Sequence, residues 1–265
     1  MPTLSHPPTH RAALRAVVRR EVFTARHNRY LHAVALVLLA GGLGVAATAG
    51  RPAAVAYGLF TLLLYAVPLF GVLAGVSSAQ DTAAERPLLH TQPVPPRWFV
   101  LGKAAVLSLL LVASIGLVVG VGWGRGVSLA AGAMLWGLGS ALALVSVSAG
   151  LAVGYAAQSR ARGLMGALLC WFAAFGLYDG AALLLAGTEA AQQWPALWMA
   201  VLLINPIDAV RLTGLFGLEG VPFSVAGAPS WMPAVIAGLP AWVVLLTLLW
   251  AGGLLAYAVR TSTQP

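Results

Sequence analysis

Only one cysteine, Cys170, occurs in the chain. That excludes an intrachain disulfide and any cysteine-based metal site. Charge is also scarce: 8% of the residues are charged, and seven are acidic. A soluble protein needs polar cover over its surface, so this composition excludes an ordinary soluble domain. A phosphate-binding glycine loop is missing as well. The nearest candidate, Gly102-Lys103, has neither the upstream glycine nor the following Ser or Thr, so any ATP must be bound by another chain. His6, His10, His27 and His32 are scattered and the methionines isolated, which leaves no set at metal-ligand spacing. No hydrolytic triad or carboxylate dyad can be assembled, so no catalytic residue and no metal ligand is assigned.

What is present is apolar. Sixty per cent of the 265 residues are hydrophobic and the mean hydropathy is +0.89. Runs near 20 apolar residues recur, each long enough to cross a hydrocarbon core of about 30 Å. Thirty glycines suit close-packed helices rather than an outer-membrane barrel. The fold class is therefore all-α: a polytopic membrane protein with six transmembrane helices and additional amphipathic interfacial helices. The spans read as 31–50, 53–76, 99–122, 127–157, 163–187 and 232–258. The whole chain, 1–265, forms one transmembrane domain, since no stretch between spans is long enough for a soluble one.

Of the 15 Lys and Arg residues, all but Arg51, Arg125 and Arg211 fall on one side of this arrangement. The excess places both termini in the cytoplasm. Basic residues that flank spans fix topology, so the net charge of +8 does not point to nucleic acid. Ala47-Thr48-Ala49 resembles a signal-peptidase site, but the polar region before the first span is long and its apolar run exceeds a signal peptide's, so the span is kept as an anchor. Ahead of it, residues 11–29 read as an amphipathic helix on the cytoplasmic leaflet. Arg11, Arg15, Arg19 and Arg26 line one side, facing lipid headgroups, and Leu14, Val17, Val18, Val22 and Ala25 the other.

Three polar elements stand out. The loop 77–98 carries Asp81 and Glu85, then Pro87 placed to start a short helix that Pro93, Pro95 and Pro96 stop. Leu88 and Leu89 on that stiff helix make a docking knob for a groove on a soluble partner, or the segment is an ordinary re-entry loop. Asp179 is the charged residue well inside a predicted span, close to its outer end. There it takes part in transport or gating, pairs with Arg51, Arg125 or Arg211, or is simply solvated at the interface. In the external loop 188–231, "WPALWMAVLLI" is about half a span and belongs at the interface. It leads into "NPIDAVRLTG", where Asn205 is an N-cap, Pro206 the first helical position and Asp208 a first-turn carboxylate three residues from Arg211. With Ile207, Val210 and Leu215 as an apolar stripe, this helix is expected on the external surface, contacting membrane or partner, or it serves only to lead the chain into the last span. Gly71/Gly75, Gly150/Gly154 and Gly176/Gly180 permit close helix approach, at a frequency chance also gives.

"ERPLLHTQPVPPRWFVLGK" resembles the cytoplasmic loop of type-2 (ABC-2) ABC transporter permeases, where an acidic residue, Leu-Leu, Pro-Val or Pro-Leu, an arginine and Gly-Lys recur. This chain has Ala84-Glu85 where Gly-Thr is usual, and more prolines. "VVRREVFTARHNRYL" is similar to the same family's entry helix. "WFAAFGLYDGAALLLAG" followed by "LLINPIDAVRLTGL" is similar to the branch serving nitrous oxide reductase maturation. The resemblance implies that Asp81, Glu85, Arg86, Leu88, Leu89, Pro93, Val94 and Arg97, with Gly102 and Lys103, couple to an ABC ATPase. Asp179, Asn205, Pro206, Asp208 and Arg211 match branch-specific elements, the last four as an external partner contact. It further implies a homodimer in the bacterial inner membrane with two ATPase subunits, ATP bound by those subunits and no cofactor bound directly. A periplasmic copper-handling partner, copper site assembly and denitrification follow from the branch. An ABC-2 exporter for another small molecule, or a membrane scaffold without energy coupling, remain alternatives.

Overall fold

The structure, a computed structural model, describes residues 10–89, 95–189, 193–219 and 231–263, and all its regular elements there are helical. They are α1 (His10–Ala25), α2 (Arg29–Thr48), α3 (Pro52–Leu89), α4 (Pro96–Gly124), α5 (Leu129–Ala156) and α6 (Arg160–Phe172). A π-helical turn (Ala173–Leu177) joins α6 to α7 (Tyr178–Ala186), followed by α8 (Pro195–Ile204), α9 (Pro206–Glu219) and α10 (Met232–Ser262). Six spans are long and apolar enough to cross a bilayer: α2, α3, α4, α5, the α6–π–α7 unit and α10. The protein is a multi-pass, all-α membrane protein.

Local chemistry sets the breaks. Asn28 caps α2 by accepting the Tyr30 N–H at 3.0 Å, and its amide donates to Ala74 O at 3.2 Å, pinning the start of α2 to α3. α4 ends in a Schellman turn. Gly126 takes φ +84°, its N–H reaches Trp123 O at 3.0 Å, and the Val127 N–H reaches Gly122 O at 3.1 Å. Only glycine adopts that backbone without a Cβ penalty. Ser128 and Ser159 cap α5 and α6 through Ala131 and Arg162 N–H. Prolines open α3, α4, α8 and α9, where the missing N–H costs no helical hydrogen bond.

α3 and α5 form the centre. Leu59, Val67, Leu135, Val147 and Leu151 are fully buried there. A Cβ added at Gly75 would stand 2.7 Å from Val147 O and 2.9 Å from Gly150 Cα, and one at Gly154 2.9 Å from Val76 Cα. Glycine at these positions lets the two backbones touch. Two of the glycine pairs noted in the sequence are thus spent inside one chain. By contrast, the α6–π–α7 unit keeps Leu168, Leu169, Leu183 and Leu184 exposed, as suits a face turned to lipid or another subunit.

Three expectations are corrected. α3 does not end near residue 76 with a separate short helix starting at Pro87; its backbone stays helical to Leu89. Apart from Pro87, which forgoes one N–H, Ala83-Ala84-Glu85-Arg86 favour continuation. α1 does not bury apolar residues alone: Val17, Glu21 and Ala25 are buried while Val18 is exposed. α9 does not lie on the external surface. Ile207, Ala209, Val210 and Thr213 are buried in the bundle, and Gly214 lies so close to the Phe60 ring of α3 that a Cβ would stand 2.9 Å from Phe60 Cε1. α8 and α9 meet at 113°, because Asn205-Pro206 stops one helix and starts the next. At about 15 and 21 Å, neither is long enough alone to cross a bilayer.

Candidate functional site

Polar chemistry gathers at two opposite ends of the bundle. The end where α1 packs and Arg97, Arg160, Arg162 and Arg260 lie is called the basic end here; the other, with α8 and α9, is the far end.

At the basic end, the segment Ser77–Asp81 of α3 is bonded directly to α4, α5 and α6, and through Lys103 to α1. The Lys103 ammonium of α4 donates to Ser78 Oγ at 3.3 Å and to Glu21 Oε2 of α1 at 2.7 Å. Lys103 and Glu21 are 2% and 3% exposed, and a buried ion pair persists only when both charges keep partners. Gly102 lets α1 come close: a Cβ there would stand 2.9 Å from Val17 Cγ1. Gln80 Nε2 donates to Gly154 O at 2.6 Å and to Ala157 O at 3.1 Å, capping the carbonyl end of α5. Arg160 of α6 reaches Ser77 Oγ at 3.3 Å and the Asp81 carboxylate at 3.6 Å. Arg20 adds its guanidinium over the Phe99 ring at 5.5 Å. Immediately beyond this hub, Glu85, Arg86, Leu88 and Leu89 lie on the last turns of α3. Pro93 and Val94 fall outside the described residues. Arg97 is exposed in the first turn of α4.

Lys103 is therefore not a loop residue, as the Gly-Lys pattern had implied. It lies one turn and more inside α4 and locks three helices together. Sequence reasoning missed Glu21 and Gln80. A lone acid among arginines signals nothing by periodicity, and a glutamine that caps a helix 74 residues away leaves no local mark.

At the far end, the structure brings together Asp179, Asn205, Asp208 and Arg211, with Pro206 making the bend between them. The Arg211 guanidinium pairs with Asp179 at 2.9 Å and with Asp208 at 2.8 Å. Asp208 also accepts from Asn205 Nδ2 at 2.8 Å, and the same amide donates to Ala174 O at 2.9 Å. Ala174 belongs to the π turn, whose widened ladder frees carbonyls. Asn205 Oδ1 accepts the Ile207 N–H at 3.1 Å as a cap. Of the three arginines weighed for Asp179, Arg211 is the partner. Asp208 is 3% exposed and Asp179 38%, so Asp208 depends on this guanidinium and amide more heavily.

The carbonyls left over where α8 stops are taken up by its neighbours. Tyr178 OH donates to Val201 O, Trp242 Nε1 to Leu203 O at 2.8 Å and Trp250 Nε1 to Ile204 O at 3.2 Å. The α8–α9 elbow is thus fastened to α7 and to α10 at once. Two buried hydroxyls of α5 serve their own helix instead: Ser146 donates to Ala143 O and Ser148 to Leu144 O. Among the described residues, no group of three or more His, Cys, Asp or Glu side chains could hold a metal ion.

No protein-family model matches the chain. Two curated relatives run nearly its full length. It is 27% identical over 275 residues, 92% of this chain and 96% of the relative, to the probable ABC transporter permease protein NosY of Stutzerimonas stutzeri. It is 30% identical over 272 residues, 91% and 94% of the two chains, to the protein of the same name from Pseudomonas aeruginosa.

Proposed function

The chain belongs to the ABC transporter permeases, and from that premise we propose that it carries motion from an ATPase at its basic end to a partner at its far end. A permease of this family works with an ATPase subunit, and the observation that carries the reading is the hub at Ser77–Asp81. Whatever displaces the end of α3 at Glu85–Leu89 pulls on α1 and α4 through Lys103, on α5 through Gln80 and on α6 through Arg160. Asp81, Glu85, Arg86, Leu88, Leu89, Pro93, Val94 and Arg97 form the proposed ATPase contact.

The proposed assembly is a homodimer of ABC-2 type permeases in the bacterial inner membrane, basic ends in the cytoplasm, with two ATPase subunits that supply the ATP sites. At the far end, α6–α7 enters the Asp179–Arg211–Asp208 cluster that holds the elbow. A shift of the span thereby reaches α8 and α9, the proposed contact for a periplasmic copper-handling protein. Nitrous oxide reductase maturation, with copper site assembly, is the process proposed for the complex, on the resemblance of its Asp179 and Asn205–Arg211 segments to that branch. Work by transmission rather than passage is favoured because the buried serines of α5 are bonded within their own helix, leaving no hydrophilic path along it.

Gln80→Leu tests this reading. It severs both bonds to α5 without altering residues 81–97. The complex should keep its ATPase bound and lose most of its activity in maturing the reductase. Full activity in that variant would contradict the transmission route.

A further inference from the structure

Two cavities between α5, α6 and α10 meet at Leu254, and their linings differ. One, of about 320 Å³, lies toward the far end, with Leu142, Val145 and Ala149 of α5 on its inner wall and Trp250 at its rim. The other, of about 520 Å³, lies toward the basic end, along Ala152, Val153 and Ala156 to Gln158, Arg162 and Tyr257. Ala149 and Ala152 are one turn apart on α5, so the two make one groove. From Ala156 to Leu142 it follows the axis for about 21 Å, against a hydrocarbon core of about 30 Å.

The upper part offers a ligand no free hydroxyl, amide or indole N–H or O–H donor at its surface. Ser146, Tyr178, Asn205 and Trp250 line it, and the polar group of each is already donating, to Ala143, Val201, Ala174 and Ile204 carbonyls respectively. Trp171 Nε1 has no acceptor among the described residues, but it is covered by protein and presents no surface. Water does not settle in an apolar cavity of this kind, whereas hydrocarbon gains dispersion contacts along every wall. The lower mouth is different. Arg162 is exposed and its described side-chain partner is the neutral Gln158 Oε1 at 2.5 Å. The neighbouring Arg160 is engaged with Asp81. A guanidinium at the interface, free to take a planar or tetrahedral anion, suits phosphate.

We propose that this groove binds one anionic phospholipid, its phosphate on Arg162 and an acyl chain running up α5 to Leu142. The occupant wedges α10 and the π turn against α5, next to the elbow. Charge at one end and hydrocarbon along the rest match a phospholipid, and neither a soluble anion nor a polar cargo satisfies both ends.

The test is photolabelling of the full chain in lipid nanodiscs, with phosphatidylglycerol carrying a diazirine at the end of one acyl chain. Label is expected on Leu142, Val145 and Ala149, behind the rim. Arg162→Gln should lower it about fivefold, the factor given by ~1 kcal/mol for one basic residue at an anionic surface, while Arg162→Lys keeps it. Val145→Trp should abolish it with Arg162 intact. The same diazirine on phosphatidylcholine should label the inner wall weakly in every variant. Equal labelling by both lipids, or label confined to exposed positions such as Trp250, would overturn the proposal. So would a Cys170–Cys170 disulfide between two copies on mild oxidation, which would put protein in the groove. Unchanged melting temperatures across the set keep these outcomes separate from misfolding.

Discussion

At the scale of single residues, the pair with most at stake is Glu21–Lys103. Each charge is almost wholly removed from solvent, and without Lys103 the buried Glu21 carboxylate keeps only the longer contact with Arg20 at 3.6 Å. Lys103→Met should lower stability by about 3–5 kcal/mol, measured by thermal unfolding in detergent, and Glu21→Leu in the same chain should restore most of it. A Lys103→Met protein as stable as wild type would mean that the ammonium carries no such interaction. The far-end cluster was largely legible in advance, because Asp208 and Arg211 are three residues apart and Asn205-Pro206 announces a helix start. For Asp179 depth in the span left an ion pair with one of three arginines open beside solvation or a transport role, and the fold pairs it with Arg211. Glu21 and Lys103 were not legible, since 82 residues separate them and local patterning carries no information about such a pairing.

At the scale of elements, α3 is both the core helix and the proposed lever. Its middle is held against α5 by glycine contacts at Gly71 and Gly75, and its last turns carry the proposed ATPase-coupling residues. Hydropathy located the apolar half and missed the continuation. The polar residues from Gln80 onward end an apolar run without ending a helix, and Pro87 reads as a start although it sits inside one. α9 was misplaced for a related reason. Its stripe of Ile207 and Val210 is correct, but periodicity does not tell a bilayer surface from a bundle interior as the thing it faces. The crossing of α3 and α5 is testable. Gly150→Val should destabilise by about 1–3 kcal/mol or more, as overpacking against Val72 forces the helices apart. Gly180→Ala, with nothing within 4 Å of the added Cβ, should be neutral or stabilising by up to about 1 kcal/mol. Equal losses in both, again by thermal unfolding, would mean that the α3–α5 contact is not the close one described.

At the scale of the whole molecule, six spans followed from composition and run length alone, because a span must satisfy its backbone internally and cover about 30 Å of hydrocarbon. What the arrangement adds is continuity between the ends. The basic-end hub binds α3 to α1, α4, α5 and α6, and α6 leads through the π turn into the cluster that holds the elbow. The central claim is that an ATPase drives this continuity from residues 81–97. It is tested most directly by affinity purification in mild detergent of wild type and Glu85→Lys/Leu89→Asp, with the bound proteins identified and their ATP hydrolysis assayed. The account predicts an ABC ATPase recovered with wild type and lost from a folded variant. A folded wild-type protein that recovers no ATPase, or a variant that retains it in full, would contradict the account.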